Sequence, residues 1–249
     1  MKLITANLFR VAALVLLLIL LFRTEWLSFL LAPLTNNNAP AVYRQNSLPS
    51  LAAGHLELVL VSIVASAVLA IVGGIFVTRK SGADFLPLSR AIANAGQTFP
   101  PVAVLALAVP AIGFGAGPTL IALFLYGLLP IFENTVAGLN QVSSSVLDAA
   151  DGMGMSPTQR LFRVELPLAL PLIIEGVKVA TVINIGTATI GSTVAAKGLG
   201  EVIIAGLISD NTAFILQGGL IVGLMAVLIY DAMGLAETAI TRRMGLRAT

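Results

Sequence analysis

Residues 148–167 read Asp148-Ala149-Ala150-Asp151-Gly152-Met153-Gly154-Met155-Ser156-Pro157-Thr158-Gln159-Arg160-Leu161-Phe162-Arg163-Val164-Glu165-Leu166-Pro167. The stretch is polar and charged, and it lies between apolar runs long enough to cross a bilayer. Asp148-Ala149-Ala150 favours a short helix with a small face. Gly152 and Gly154 allow a sharp turn or a close backbone approach. Ser156-Pro157 reads as an N-cap with proline at the first helical position. A second helix is expected from Pro157 to Glu165, with Leu161, Phe162 and Val164 on one face. Leu166-Pro167 is expected to stop it, and Pro171 to reset the direction into the next apolar run. The expected product is a stiff knob of helix, glycine turn and helix. On local physics alone, an ordinary capped loop between membrane helices fits as well.

The surroundings set the solvent. The chain has 249 residues, of which 57% are hydrophobic and only 10% charged, and its mean hydropathy is +0.98. A soluble domain carries about a quarter charged residues, so the bilayer is the expected solvent and the fold class is all-α integral membrane. A net charge of +2 is too small to suggest a nucleic-acid partner. With no cysteine, disulfides, thiolate metal sites and cysteine nucleophiles are excluded, and with one histidine, His55, so are multi-histidine metal sites. No Gly-x4-Gly-Lys-Ser/Thr run occurs, and the glycines from 113 to 117 lack the lysine. No catalytic residue, no metal site and no directly bound cofactor are expected.

A bilayer core of about 30 Å takes about 20 apolar residues in a helix. Six spans are expected: Leu8 to Leu31, Leu56 to Val77, Leu88 to Ile112, Thr119 to Leu139, Leu170 to Ala195 and Ala213 to Ala236. The first is read as uncleaved, since Ala32 is the only small residue after it where a signal would be cut; Trp26 then sits near headgroup level. Pro33 to Pro49 reads as a solvated loop and Gly113 to Pro118 as a tight turn. Lys197 to Asn211 reads as a partly apolar connection that can dip back into the protein. Three sections result: residues 1–50 with the first helix and an outer loop, residues 51–240 with the main membrane domain and the loop 140–170, and a basic tail at 241–249.

Orientation follows the placement of Lys and Arg. With the N-terminus inside, Lys2, Arg10, Arg79, Lys80, Arg90, Arg160, Arg163, Arg242, Arg243 and Arg247 fall at the cytoplasmic side. Arg23, Arg44 and Lys197 fall outside, and Lys178 lies within the fifth span. The 148–167 loop and both chain ends are therefore expected in the cytoplasm.

The third span carries Gln97, Pro100 and Pro101 midway, and the fifth carries Asn184, Thr187 and Thr189. Proline breaks leave backbone groups that are tolerated only against protein or water. Small and polar residues suit both helix packing and a wet path; these six are the candidate lining of a translocation path, with packing as the competing role. Glu175 and Lys178 are spaced to pair on one helix face. His55 and Glu57 are expected to be interfacial, and Glu133 and Asp231 lie too scattered for a proton relay. Gly219-x3-Gly223 is a weak signal for a close helix crossing.

Taken together, Asp148-Ala149-Ala150-x3-Gly154-x9-Val164-x-Leu166-Pro167 resembles the EAA signature of permease subunits of binding-protein-dependent ABC importers, with Asp for Glu at 148 and Val for Ile at 164. The resemblance runs from about Leu51 to Ala236 and implies a type I, MetI-like permease fold in the bacterial inner membrane. It implies that Asp148, Ala149, Ala150, Gly152, Gly154, Val164, Leu166 and Pro167 form the loop docking on a separate ATPase, with ATP and Mg bound on that partner. It also implies an extracytoplasmic substrate-binding protein and a second permease subunit, identical or related. Gly96 to Pro101, Gly152 to Pro171 and Asn184 to Gly191 resemble the osmoprotectant branch, which carries glycine betaine, choline and related quaternary amines. Such cations are held by aromatic cages, and with aromatics at 6% and unclustered this chain is not expected to build one. Two rivals stay open: a permease of the same kind for another solute such as an amino acid, and an ion-coupled secondary transporter, which would want inverted repeats and paired midplane charges.

Overall fold

The computed structural model describes residues 2–36 and 39–245, with side chains from residue 7 onward. Lys2 is therefore described by its backbone alone, and Arg247 with the end of the basic tail lies outside the described residues. The described residues are helical, in the order α1 (Lys2–Phe22), α2 (Ser28–Leu31), α3 (Leu48–Val77), α4 (Leu86–Thr98), α5 (Pro101–Ile112), α6 (Ala116–Asn140), α7 (Ser144–Gly152), α8 (Pro157–Arg160), α9 (Leu166–Thr187), α10 (Gly200–Ile208) and α11 (Thr212–Arg243). A helix satisfies its own backbone hydrogen bonds, which hydrocarbon requires. On α3, Leu60, Val64, Val68 and Val72 recur every fourth residue and are all exposed, as a lipid-facing stripe should be.

Four stretches are long and apolar enough to cross a membrane unbroken: Leu48–Val77, Ala116–Asn140, Pro157–Val194 and Thr212–Arg243. Two bent pairs bring the count to six when each is taken as one span. The expected first span, Leu8 to Leu31, is not one helix. Asn7–Phe22 and Thr24–Leu34 meet at 106°, and the polar run Arg23-Thr24-Glu25 sits at the corner. The buried Thr24 hydroxyl donates to the Leu20 carbonyl there, closing the helix end. The expected third span is broken between Ala83–Thr98 and Pro101–Ile112. Phe99 (φ −76°, ψ 130°) and Pro100 (φ −57°, ψ 138°) are each followed by proline and are extended, as the ring of the next residue demands.

The contacts divide the chain into two compact units. One comprises Met1–Ser62, Pro100–Leu123 and Val182–Tyr230; the other comprises Ile63–Phe99, Phe124–Thr181 and Asp231–Thr249.

In the first unit, the loop at residues 35–47 is not simply solvated as the sequence suggested. Tyr43 is buried. Its N–H donates to Gln217 Oε1 at 3.1 Å, its hydroxyl donates to Glu201 at 2.6 Å, and its ring meets Phe214 edge-on. Asn211 Nδ2 donates to the Pro40 carbonyl at 2.9 Å, while Asn211 Oδ1 accepts from Ala213 N–H and caps α11. Polar groups leaving water need partners, and here one set of partners pins the loop and starts a helix. The segment after Lys197 does fold back: Leu199 and Val202 are fully buried. At the expected tight turn, Gly113 and Gly115 take φ of 83° and 114°, a region closed to most side chains.

In the second unit, Leu139 (α6) packs with Ala169 and Ile173 (α9), flanked by Ile71, Ile75, Leu161 and Leu166. This core lies directly behind the 148–167 loop. A Cβ on Gly138 would come within 2.9 Å of the Ala169 carbonyl, so these backbones approach closely.

Candidate functional site

The loop is built from sequence-local devices that the structure realises almost one for one. Asp148, Ala149 and Ala150 lie on α7; Asp148 and Ala149 are exposed, and Ala150 is buried. The helix ends in a Schellman motif. Gly154 N–H donates to the Asp151 carbonyl at 2.9 Å and Met155 N–H to the Ala150 carbonyl at 3.2 Å, with Gly154 at φ 75°. Gly152, by contrast, is an ordinary helical residue at the end of α7. Ser156 then caps α8. Its hydroxyl accepts from Gln159 N–H, the Gln159 side chain accepts from Ser156 N–H, and Pro157 fills the first position.

Two expectations fail. Leu166-Pro167 does not stop the second helix and Pro171 does not start a new one; the chain stays helical from Pro157 to Val194, with Pro171 inside α9. Residues Leu161–Glu165 form a π turn in which Leu166 N–H reaches the Leu161 carbonyl. The wider turn slips the hydrogen-bond register, so Pro167, which has no N–H, opens the new frame of α9. The loop is thus continuous with a membrane helix. Val164, Leu166 and Pro167 are half-buried, and Leu166 joins the core behind the loop. Met153 and Phe162 remain 69% and 62% exposed.

Charge is concentrated behind the knob. Glu165 is 3% exposed. Its Oε2 lies 2.6 Å from Arg79 Nη2, and its Oε1 accepts from Arg160 Nε at 3.0 Å. Arg160 Nη1 continues to Asp151 at 2.7 Å. Sequence reading placed Arg79 at the cytoplasmic end of its span and saw no partner for it. No local spacing links it to Glu165.

The path candidates fall in both units. Gln97 belongs to the second, where its Nε2 donates to the Tyr126 carbonyl at 3.0 Å. The Tyr126 hydroxyl donates to the Phe99 carbonyl at 2.7 Å, satisfying a group freed by the proline break. Tyr126 was not singled out from sequence; a hydroxyl amid an apolar span was the available signal. Pro100 is exposed, and Pro101, Thr187 and Thr189 are half-buried in the first unit. Asn184 is fully buried there, donating to Ser62 Oγ at 3.1 Å and the Leu123 carbonyl at 2.9 Å.

Charges within spans find partners. Lys178 Nζ meets Glu175 at 2.5 Å, as the spacing suggested, and also Glu237 of α11 at 2.9 Å. Arg90 grips Glu133 with two nitrogens, at 2.5 and 2.9 Å. His55 is not interfacial: it is fully buried, with Nε2 2.9 Å from the Ile185 carbonyl. Glu57 is exposed. Gly219 and Gly223 face open space within this chain. Among the described residues no cluster of three or more His, Cys, Asp or Glu converges as metal ligands.

A capped knob continuous with a membrane-length helix has relatives. The family model described as "Binding-protein-dependent transport system inner membrane component" matches residues 70–246. The chain belongs to this family. It is a multi-pass transport permease, and the EAA pattern is a property of its family. The osmoprotectant import permease protein OsmY of Salmonella typhimurium is 40% identical over 75% of this chain and 79% of its own length. The choline transport system permease protein OpuBB of Bacillus subtilis is 35% identical over 75% of this chain and 85% of its own. Among solved structures, an inward-facing form of the MetNI methionine ABC transporter superposes with a TM-score of 0.65 at 22% identity, covering 81% of this chain and 99% of that one. That likeness establishes the type I permease fold.

Proposed function

We propose that this permease is the membrane subunit of an ATP-driven importer for osmoprotectants of the quaternary-amine class, such as glycine betaine or choline. The observation that carries the reading is the 148–167 loop. It is capped at both joints, backed by a buried ionic cluster, and continuous with α9, yet it presents Met153 and Phe162 outward. A separate ATPase subunit, with its own ATP and Mg, docks on that face. A substrate-binding protein delivers solute from outside, and a second permease subunit completes the path. Both chain ends lie in the cytoplasm. The solutes for which OsmY and OpuBB are named support the solute class. Among the described residues the ring pairs are Tyr43–Phe214 and Phe76–Phe85; a quaternary amine is held by several rings around one cation, so the reading assigns capture to the binding protein.

The test is purification of the full chain from its native membrane, followed by uptake into proteoliposomes. An ATPase should co-purify, and nucleotide-dependent choline uptake should be competed by unlabelled betaine and not by methionine. Competition by methionine alone would move the permease to amino-acid import. Uptake that proceeds without any ATPase would overturn the reading altogether.

A further inference from the structure

Asp151, Arg160 and Glu165 fall on the unspecified positions of the spaced pattern, and Arg79 lies outside it, yet these four make one connected chain. Glu165 sits at its centre, buried on the π turn that feeds α9. Arg79 stands just past the end of α3. Its guanidinium is folded back on that helix: Nε donates to the Ile75 carbonyl at 3.4 Å and Nη2 to Thr78 Oγ1 at 3.2 Å. Arg160 closes α8, and Asp151 lies on α7. One carboxylate therefore gathers both helices of the knob and the end of a separate membrane helix.

A buried ion pair is a poor device for stability alone, because desolvation offsets most of the attraction; its best-attested use is to fix register. Each guanidinium gives Glu165 one nitrogen and another nitrogen to a second partner, Arg160 to Asp151 and Arg79 to the Ile75 carbonyl, so direction is constrained as well as separation. The π turn adds a second sign, since such register defects inside α-helices collect at functional positions. We infer that Glu165 is the positioning residue that ties the knob to α3 as well as to α9, so that displacement of the knob is delivered to two membrane helices together. This rests on the proposed docking of an ATPase at the knob.

The natural absence of cysteine makes the test direct. Spin labels at Lys80→Cys and Thr158→Cys, both exposed sites, report the separation of α3's end and the knob in the full chain. The unaltered background should give one narrow distance that persists when the ATPase complex binds nucleotide. Glu165→Gln, nearly isosteric, should broaden it and raise the ATP consumed per solute imported severalfold, with ATPase association retained. Arg79→Gln should do the same, and the double variant should be no worse than Glu165→Gln alone, since both act through one tie. Should Glu165→Gln fail to assemble, Arg79→Gln carries the same two readouts. Wild-type distance and wild-type stoichiometry in either variant, or additive effects in the double variant, overturn the inference. Were the unaltered protein to recruit no ATPase, the proposed function would fall instead, while the label distance would still judge the tie.

Discussion

Gly152 and Gly154 stand two residues apart in the same loop, and alanine should act on them with opposite sign. Gly154 has φ 75° and Gly152 is helical. An added Cβ would meet no atom within 4 Å at either site, so sterics with neighbours drop out and only the backbone matters. An L-residue in the left-handed region costs about 1–2 kcal/mol, a factor of roughly 5–30 in an equilibrium. At Gly152 the change gains up to about 1 kcal/mol, since alanine is the better helix former. Gly154→Ala should therefore depopulate the Schellman turn and release the two hydrogen bonds to Asp151 and Ala150. Solute uptake should fall severalfold while membrane insertion is unchanged, and Gly154→Val should be worse. Gly154→Asn should restore most function, because asparagine tolerates this conformation. The assays are nucleotide-driven uptake and the thermal midpoint of the detergent-purified protein. If Gly152→Ala and Gly154→Ala behave alike, or Gly154→Asn is as damaging as Gly154→Ala, the backbone argument is wrong.

Two further outcomes follow from buried polar groups. Lys178→Met removes the cation that meets both Glu175 and Glu237 and should lower stability by about 1–3 kcal/mol, since both carboxylates keep some access to solvent; the triple change Glu175→Gln, Lys178→Met, Glu237→Gln should recover most of the lost midpoint, and a triple variant no better than the single one would contradict this. Burial, and then the hydrogen bond to Glu201, push the Tyr43 phenol up to about 12 from its ordinary 10.0. The neutral phenol therefore contributes fully below pH ~10 and loses its contribution as pH rises towards 12. Alkaline titration of the thermal midpoint should show that loss, and Tyr43→Phe should remove it at a cost near neutrality of about 1 kcal/mol.

The parts of the site that were legible in the sequence are those written in neighbouring residues. Ser156 caps α8 and Pro157 opens it because a hydroxyl accepts from the first turn and the ring already holds the helical φ. Gly154 turns because its own φ is free. The paired prolines at 100 and 101 break their span by removing donors that no fold can restore. What escaped was of another kind. The 106° corner at Arg23 carries no proline or glycine to announce it. Pro167 looked like a stop, yet the π turn before it moves the hydrogen-bond frame and lets the helix run on into α9.

Sequence by itself determined that the chain lives in a bilayer, where its apolar runs lie, and that residues 148–167 form a helix, a glycine turn and a capped helix. Only the tertiary structure decided that Tyr43 and His55 are buried, that Glu237 joins Glu175 at Lys178, and that Glu165 joins Arg79 to the knob. The division has one cause. Caps, turns and helical propensity are settled by groups a few residues apart, whereas a polar side chain leaves water only where distant segments supply its partners, and that meeting exists only once the helices have packed.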